Sequence, residues 1–125
     1  MRLSAVTLIV PSYDEGIAFF RDILGFDLTE DIDQGHKRWV RVTPPGGGAG
    51  FILAEPGNAQ QRAAIGQQGA GRVWLFLETD DFSASHARLT AAGLPFEETP
   101  RNAPYGTVAV FRDPFGNRWD LIQFT

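Results

Sequence analysis

The chain of 125 residues contains no cysteine. Disulfide bonds, zinc–thiolate sites and thiol nucleophiles are therefore excluded. No Ser–His–acid spacing is present either, and the glycine-rich stretch PPGGGAG (44–50) lacks the lysine and the following helix of a phosphate-binding loop. The sequence therefore carries none of the common catalytic motifs.

Long hydrophobic runs and an excess of basic residues are also absent. The apolar stretch LSAVTLIV (3–10) ends at Pro11, which leaves it too short for a signal peptide core or a membrane span. The net charge is -4 and the isoelectric point is about 5.0, which argues against nucleic acid and anionic membranes as partners. We therefore expect a cytoplasmic globular protein that interacts with neither nucleic acid nor a membrane.

Alternating and helical hydrophobic patterns predict an α+β fold. The first half reads as a strand, a helix that begins near Tyr13 and ends at Gly25, and three short strands. The second half repeats this order, with a helix (82–93) that ends at Gly93. The predicted strands are 3–10, 26–31, 37–43 and 50–55 in the first half, and 72–81, 95–99, 105–112 and 118–123 in the second.

The two halves form an internal repeat. The segment VRVTPPGGGAGFILAE (40–55) aligns without a gap to VAVFRDPFGNRWDLIQ (108–123). We interpret the chain as one domain (1–125) built from two βαβββ units (1–55 and 71–125), which a polar linker (56–70) joins. One such unit cannot close its own sheet, so the two are expected to form a curved mixed sheet around a cleft, with the helices on the outer face.

The βαβββ repeat, the stretch AFFRDILGF (18–26) and the run FRDPFGNRWDL (111–121) resemble the vicinal oxygen chelate superfamily. This superfamily includes glyoxalase I, extradiol dioxygenases and the bleomycin-resistance proteins. In members that use a metal, four side chains in the cleft bind one divalent ion. The resemblance assigns those four positions to Ala5, Ile52, Trp74 and Asp120.

Only Asp120 retains a side chain of the ligating type, so we predict no metal site and no cofactor. A divalent ion needs three or more protein donors for useful affinity. Glu78 is the one supplementary carboxylate that alternation places on the same face, and together with Asp120 it could hold Mg²⁺ or Mn²⁺ only weakly. His36, in a turn, and His86, on the second helix, are interpreted as ordinary surface residues.

Strand alternation, anchored on the four metal positions, predicts which side chains line the cleft. It places two tryptophans there, where aromatic walls stack planar or cationic ligands. Asp120 needs a partner there, which either Arg41 or an ammonium or hydroxyl group of the ligand could supply. The alternative is that these aromatic side chains fill the cleft as a second packed core. The predicted ligand-binding residues are Trp39, Arg41, Trp74, Phe76, Glu78, Tyr105, Phe111 and Asp120.

The resemblance implies a protein similar to the bleomycin-resistance proteins, which bind their ligand and do not transform it. We therefore expect a homodimer with a degenerate metal site that binds a small aromatic or cationic molecule. The alternative is a glyoxalase-like lyase or a dioxygenase with a metal site of unusual composition. Catalytic residues cannot be assigned from the sequence.

Overall fold

The computed structural model describes all residues, 1–125. The chain divides into two compact units, Met1–Ile65 and Gly66–Thr125. Their boundary lies inside the segment (56–70) that the sequence analysis interprets as a linker. Each unit has its own four-stranded mixed sheet. The structure therefore contains two sheets where the sequence analysis predicted one curved sheet. The α+β class and the pair of βαβββ units are confirmed.

The sheet of the first unit has the order β1-β4-β3-β2. Strand β1 is parallel to β4, and the other neighbours are antiparallel. The elements are β1 (Ala5–Ile9), α1 (Tyr13–Ile17) with a π-helical continuation (Ala18–Ile23), β2 (Asp27–Asp33), β3 (Arg38–Thr43), β4 (Gly50–Ala54) and α2 (Ala59–Ala64).

The first helix begins with a capping box and widens into a π-helix. The Ser12 hydroxyl accepts a hydrogen bond from the Glu15 backbone N–H at 3.2 Å and donates one to the Glu15 carboxylate at 2.8 Å. In the π-helical part, the backbone N–H of Leu24 donates to the carbonyl of Phe19, five residues earlier. The adjacent side chains of Phe19 and Phe20 are both buried as a result, whereas a regular helix was expected here.

The second unit repeats the topology of the first. Its sheet has the order β5-β8-β7-β6, with β5 parallel to β8 and antiparallel pairing elsewhere. Its elements are β5 (Val73–Glu78), α3 (Phe82–Ala91), β6 (Arg101–Ala103), β7 (Gly106–Arg112) and β8 (Arg118–Phe124). The Asp81 carboxylate caps α3 by accepting a hydrogen bond from the Ala84 N–H at 3.0 Å.

Two predicted segments differ from the structure. The strand predicted at 95–99 is a single bridge from Phe96 to Phe111, and the paired strand is β6, further along the chain. The reason is local: the Glu98 carboxylate accepts the N–H of Val110 at 3.2 Å, and Pro100 has no N–H to continue a ladder. The polar segment 56–70 contains α2, which the Asn58 side chain caps.

Burial follows strand alternation in β3 of the first unit, whereas in β7 the four consecutive residues 108–111 are all buried, so both faces of that strand are covered. Val40, Val42 and Leu53 are buried in the first unit, and Trp119 and Leu121 are buried in the second. In the second unit a row of rings runs from α3 to the sheet, because His86 lies between Phe82 and Phe96, with centroid distances of 5.8 and 4.1 Å. His86 is therefore part of an aromatic stack. No helix has the length and apolar character needed to cross a membrane.

Candidate ligand site on the second sheet

The turn DPFGN (113–117) connects β7 to β8 and is built around one buried carboxylate. Asp113 is 4% exposed and accepts hydrogen bonds from the backbone N–H groups of Phe115 and Asn117, both at 2.9 Å. It also accepts from the Asn117 side-chain amide at 2.9 Å and from the Trp119 indole N–H at 3.0 Å. Four donors satisfy the carboxylate and hold the hairpin in one register, which fixes where Asp120 lies.

Register and alternation define one face of the second sheet, which we call the Asp120 face. Phe76 is aligned with Asp120 on the parallel strand β5, and Val110 lies opposite Asp120 on β7. Residues directly opposite each other in a sheet point to the same side. The members of the face are Trp74, Phe76, Glu78, Arg101, Val108, Val110, Arg112, Arg118, Asp120 and Ile122.

Asp120 is the least satisfied polar group of this face. Its Oδ1 atom is buried and has no hydrogen-bond partner. Burial raises the pKa of the Asp120 carboxyl, and the negative charge of Glu98 acts in the same direction, whereas Arg101 and Arg118 oppose it. A buried carboxylate oxygen without a donor costs about 1–3 kcal/mol. A hydrogen-bond donor or a cation that reached this atom would recover that free energy.

Aromatic surface lies directly beside this carboxylate. Phe76 is 67% exposed, although it occupies the centre of β5. Trp74 lies at a register irregularity between Val73 and Leu75, and a loop packs on it so closely that a Cβ on Gly69 would be 2.6 Å from the Trp74 Cβ. Register places Phe76 and the exposed Glu78 on the Asp120 face, and Trp74 lines a cavity with Arg112 and Arg118 at the edge of that face.

Two charged side chains, Glu98 and Arg101, act on Asp120 from the β6 side. The Arg101 guanidinium donates to the Glu98 carboxylate at 3.0 Å. Hydrogen bonds to the Tyr105 hydroxyl and to Glu98 raise the pKa of Arg101. Tyr105, a predicted site residue at 49% exposure, is therefore linked to the Asp120 face through Arg101.

The placement of Phe111 on the ligand face is wrong. Phe111 is paired with Trp119, and their rings stack with centroids 5.8 Å apart on the face opposite Asp120. Phe111 is fully buried and also contacts Phe96, so it belongs to the core. Val110 takes its place on the Asp120 face. The cause is the register of the β7–β8 hairpin. Arg41 pairs with Ile52 in the first unit, whereas Val110, and not the aligned Ala109, pairs with Asp120 in the second.

Trp39 and Arg41 lie in the first unit. The Arg41 guanidinium donates to the Glu30 carboxylate at 2.9 Å and to the Ser4 carbonyl and hydroxyl, both at 3.4 Å. Of the two partners considered for Asp120, Arg41 is not the one, because its guanidinium pairs with Glu30 in its own unit. Trp39 is half-buried on β3, opposite the exposed Ile32 of β2.

The residues at the four metal positions do not fit a resident metal ion. Ala5 and Ile52 have no donor atom, and the Trp74 indole nitrogen is a hydrogen-bond donor only. No group of three or more histidine, aspartate or glutamate side chains lies close enough to share an ion. Asp120 and Glu78 supply two carboxylates, fewer than structural or catalytic sites use.

Sequence reasoning missed the charged neighbours of Asp120. Arg118 precedes Asp120 by two residues, so alternation alone places it on the same face. The sequence analysis places Glu98 inside the strand predicted at 95–99 and Arg101 outside any predicted strand, so neither was expected near Asp120. Their approach to Asp120 depends on the pairing of Arg101 with Val108, which no sequence pattern indicated.

Comparisons with known proteins agree with this architecture. The family model for the glyoxalase/bleomycin resistance protein/dioxygenase superfamily matches residues 2–121. An uncharacterised protein of Shewanella frigidimarina (strain NCIMB 400) is 47% identical over 94% of this chain and 90% of its own length.

Solved structures give the same assignment. The antibiotic-binding protein TnmS3 from Streptomyces sp. CB03234 is 29% identical, with a TM-score of 0.78 over 100% of this chain and 97% of its own. UcmS2 is 30% identical, with a TM-score of 0.82 over 98% of this chain and 97% of its own. With its two βαβββ units and the buried Asp113 turn, the chain belongs to the glyoxalase/bleomycin resistance protein/dioxygenase superfamily.

Proposed function

We propose that this protein binds a small aromatic or cationic molecule on the Asp120 face and does not transform it. The observation that carries the proposal is the buried, unpartnered Oδ1 of Asp120 beside the exposed ring of Phe76. Folding alone leaves the Asp120 Oδ1 atom without a hydrogen-bond donor and the Phe76 ring exposed to solvent. One ligand with an aromatic ring and a hydrogen-bond donor would contact both groups.

The energetics of the two contacts support this assignment. An aromatic pair adds about 0.5–1.5 kcal/mol beyond the area that it buries. A hydrogen bond to a charged group contributes about 1.5–3 kcal/mol, and more of it is retained where the acceptor is already desolvated. A protonated amine or a phenolic hydroxyl next to an aromatic ring fits this combination.

Binding without catalysis agrees with the chemistry of the residues at the four metal positions. The residues at the metal positions cannot activate a water molecule or chelate a substrate, since three of them lack a suitable atom. One structural relative, TnmS3, is described as an antibiotic-binding protein. No feature of the Asp120 face favours the alternative of a metal-dependent lyase or dioxygenase.

The proposal is tested by screening aromatic amines, phenols and planar cations with thermal shift and calorimetry, followed by variants. We expect Asp120→Asn to weaken a cationic hit about tenfold. Phe76→Ala should weaken hits of both kinds, because each would stack on the ring.

Two matched controls keep the test specific. Asp80→Asn removes an exposed carboxylate of the same unit, and Phe124→Ala removes an exposed ring about 13 Å further along the strand direction of β8. Both should leave the affinity unchanged. Hits whose affinity is the same in the wild type, Asp120→Asn and Phe76→Ala would show that the ligand binds elsewhere.

A further inference from the structure

A second polar site lies on the Asp120 face, one row nearer the start of β5 and β8. A cavity of about 20 Å³ opens there, and Arg72, Trp74, Arg112 and Arg118 are among the residues that line it. This volume accommodates one water-sized group, such as one oxygen atom of an oxyanion. No acidic residue lines the cavity.

The charges around the cavity are unbalanced in favour of a bound anion. Glu97 is the one carboxylate that pairs with these arginines, accepting from Arg118 at 2.9 Å and from Arg112 at 3.1 Å. The hydrogen bond from Arg118 holds the pKa of Glu97 below its usual range, so Glu97 is ionised at neutral pH. Glu97 is thus the only carboxylate in direct contact with the arginines of the cavity, while Asp120 and Glu98 act on Arg118 without direct contact, in a protein whose net charge is -4.

Of the three arginines that line the cavity, Arg72 is the one whose side chain has no partner. The Arg118 guanidinium donates hydrogen bonds to the Glu97 carboxylate and to the carbonyl of Gly71. The Arg112 guanidinium pairs with the Glu97 carboxylate and donates to the carbonyl of Gly116. The Arg72 side chain is exposed and makes no hydrogen bond or ion pair. Five donors in a planar fork are therefore available at the mouth of the cavity.

The loop that carries Arg72 is held against the sheet. The Arg118 guanidinium donates to the Gly71 carbonyl at 2.9 Å, and the Arg72 N–H donates to the Gly69 carbonyl at 3.1 Å. Ala70 adopts φ 54°, a left-handed conformation that is unfavourable for a residue with a Cβ. The close packing of Gly69 on Trp74 keeps this conformation in place, so Arg72 starts from a fixed backbone.

We propose that Arg72 and Arg112, with Trp74 as a wall, bind an oxyanion carried by the small molecule. This inference rests on the proposed function, because it describes a second contact of the same ligand. Arg118 and Asp120 are two residues apart on β8, which separates the two sites by about 7 Å. The ligand class is therefore an aromatic acid (carboxylate, sulfonate or phosphate) with a hydrogen-bond donor about 7 Å from the acid.

The test compares 6-hydroxy-2-naphthoate, which has the acid and the donor at opposite ends of a planar ring system, with 2-naphthol, which lacks the acid. Calorimetry should show tighter binding of the acid, and its affinity should fall as sodium chloride is added. Arg72→Gln should weaken the acid about fivefold and leave 2-naphthol unchanged. Arg88→Gln, an exposed arginine on α3, is the matched control and should change neither.

The outcomes separate this inference from the proposed function. Equal affinities for the two compounds, an Arg72→Gln variant indistinguishable from Arg88→Gln, or no binding of the acid at millimolar concentration would each overturn the oxyanion site. Binding of 2-naphthol that Asp120→Asn weakens would still support the proposed function in those cases. Because the Arg72 side chain has no hydrogen-bond or ion-pair partner in the folded chain, its substitution should not disturb folding, which circular dichroism verifies.

Discussion

The Asp113 carboxylate accepts a hydrogen bond from the indole N–H of Trp119 at 3.0 Å, across the turn that joins β7 to β8. Both residues are buried. Because the same carboxylate also holds Asn117 and Phe115, one acidic side chain connects the turn to the core and sets the register of the strand that carries Asp120.

Removing this carboxylate should destabilise the protein strongly. We expect Asp113→Ala to lower the free energy of unfolding by about 3 kcal/mol or more, because it leaves several buried donors without an acceptor. Trp119→Phe removes one donor and part of the ring and should cost about 1–3 kcal/mol. Urea denaturation measures both, with the exposed Asp80→Ala as the control. Equal stability of Asp113→Ala and Asp80→Ala would contradict the role of the turn.

Two phenylalanines on opposite faces should respond differently to truncation. Phe111 is fully buried against Trp119, so Phe111→Ala should cost about 3–5 kcal/mol. Phe76 is 67% exposed, so Phe76→Ala should change the free energy of unfolding by less than about 0.5 kcal/mol. If the two losses were similar, the assignment of faces in β5 and β7 would have to be revised.

Replacement of Asp120 by asparagine should stabilise the protein at neutral pH. Burial raises the pKa of Asp120 in the folded state. As the pH rises, the unfolded chain therefore ionises first, and the free energy of unfolding falls until the folded-state pKa has been passed. Asparagine does not ionise, so the Asp120→Asn variant does not lose free energy of unfolding in this way.

The pH dependence distinguishes this effect from a simple packing change. The advantage of Asp120→Asn should shrink as the pH falls and disappear below about pH 3, where the carboxyl is protonated in both the folded and the unfolded state. Thermal unfolding at acidic and neutral pH measures it, with Asp80→Asn as the control. An asparagine variant that is less stable than the wild type at neutral pH would show that the Asp120 charge is satisfied in the folded protein.

Protein purified without chelator should contain no stoichiometric transition metal. Ala5, Ile52 and Trp74 provide no ligand at three of the four family positions, so Asp120 alone cannot retain an ion. Elemental analysis should find far less than one zinc, nickel, manganese or iron per chain, and EDTA should leave the melting temperature unchanged. One ion per chain that Asp120→Asn abolishes would refute this, as would glyoxalase activity with methylglyoxal and glutathione.

The protein should form a homodimer. Symmetric pairing is the commonest assembly of soluble proteins, and members of this superfamily commonly pair. The segment 56–70, with the exposed Gln60 and Arg62 on α2 and Ile65 after it, is our candidate for contact with the second copy. Light scattering should report twice the monomer mass at micromolar concentration, and Arg62→Glu should raise the monomer fraction. A monomeric wild-type protein would contradict the prediction.

Much of the fold was determined by the sequence alone. The alternation in β1, β3 and β4, the glycines after the two helices and the match between 40–55 and 108–123 predicted the two βαβββ units. These signals are local, because side-chain direction alternates along any strand and glycine accepts the left-handed conformation at a helix end. Asp120 was identified from the resemblance of the run FRDPFGNRWDL (111–121) to the vicinal oxygen chelate superfamily.

The tertiary structure decided which residues share a face and which charges meet. The β7–β8 hairpin pairs one residue out of step with the β3–β4 hairpin, which moves Phe111 into the core and Val110 next to Asp120, because a shift of one residue exchanges the two faces of a strand. Arg41 pairs with Glu30 and not with Asp120, and Arg72, Arg112 and Arg118 meet at one cavity. Such encounters depend on strand pairing between distant segments, and hydrophobic periodicity within one segment carries no information about them.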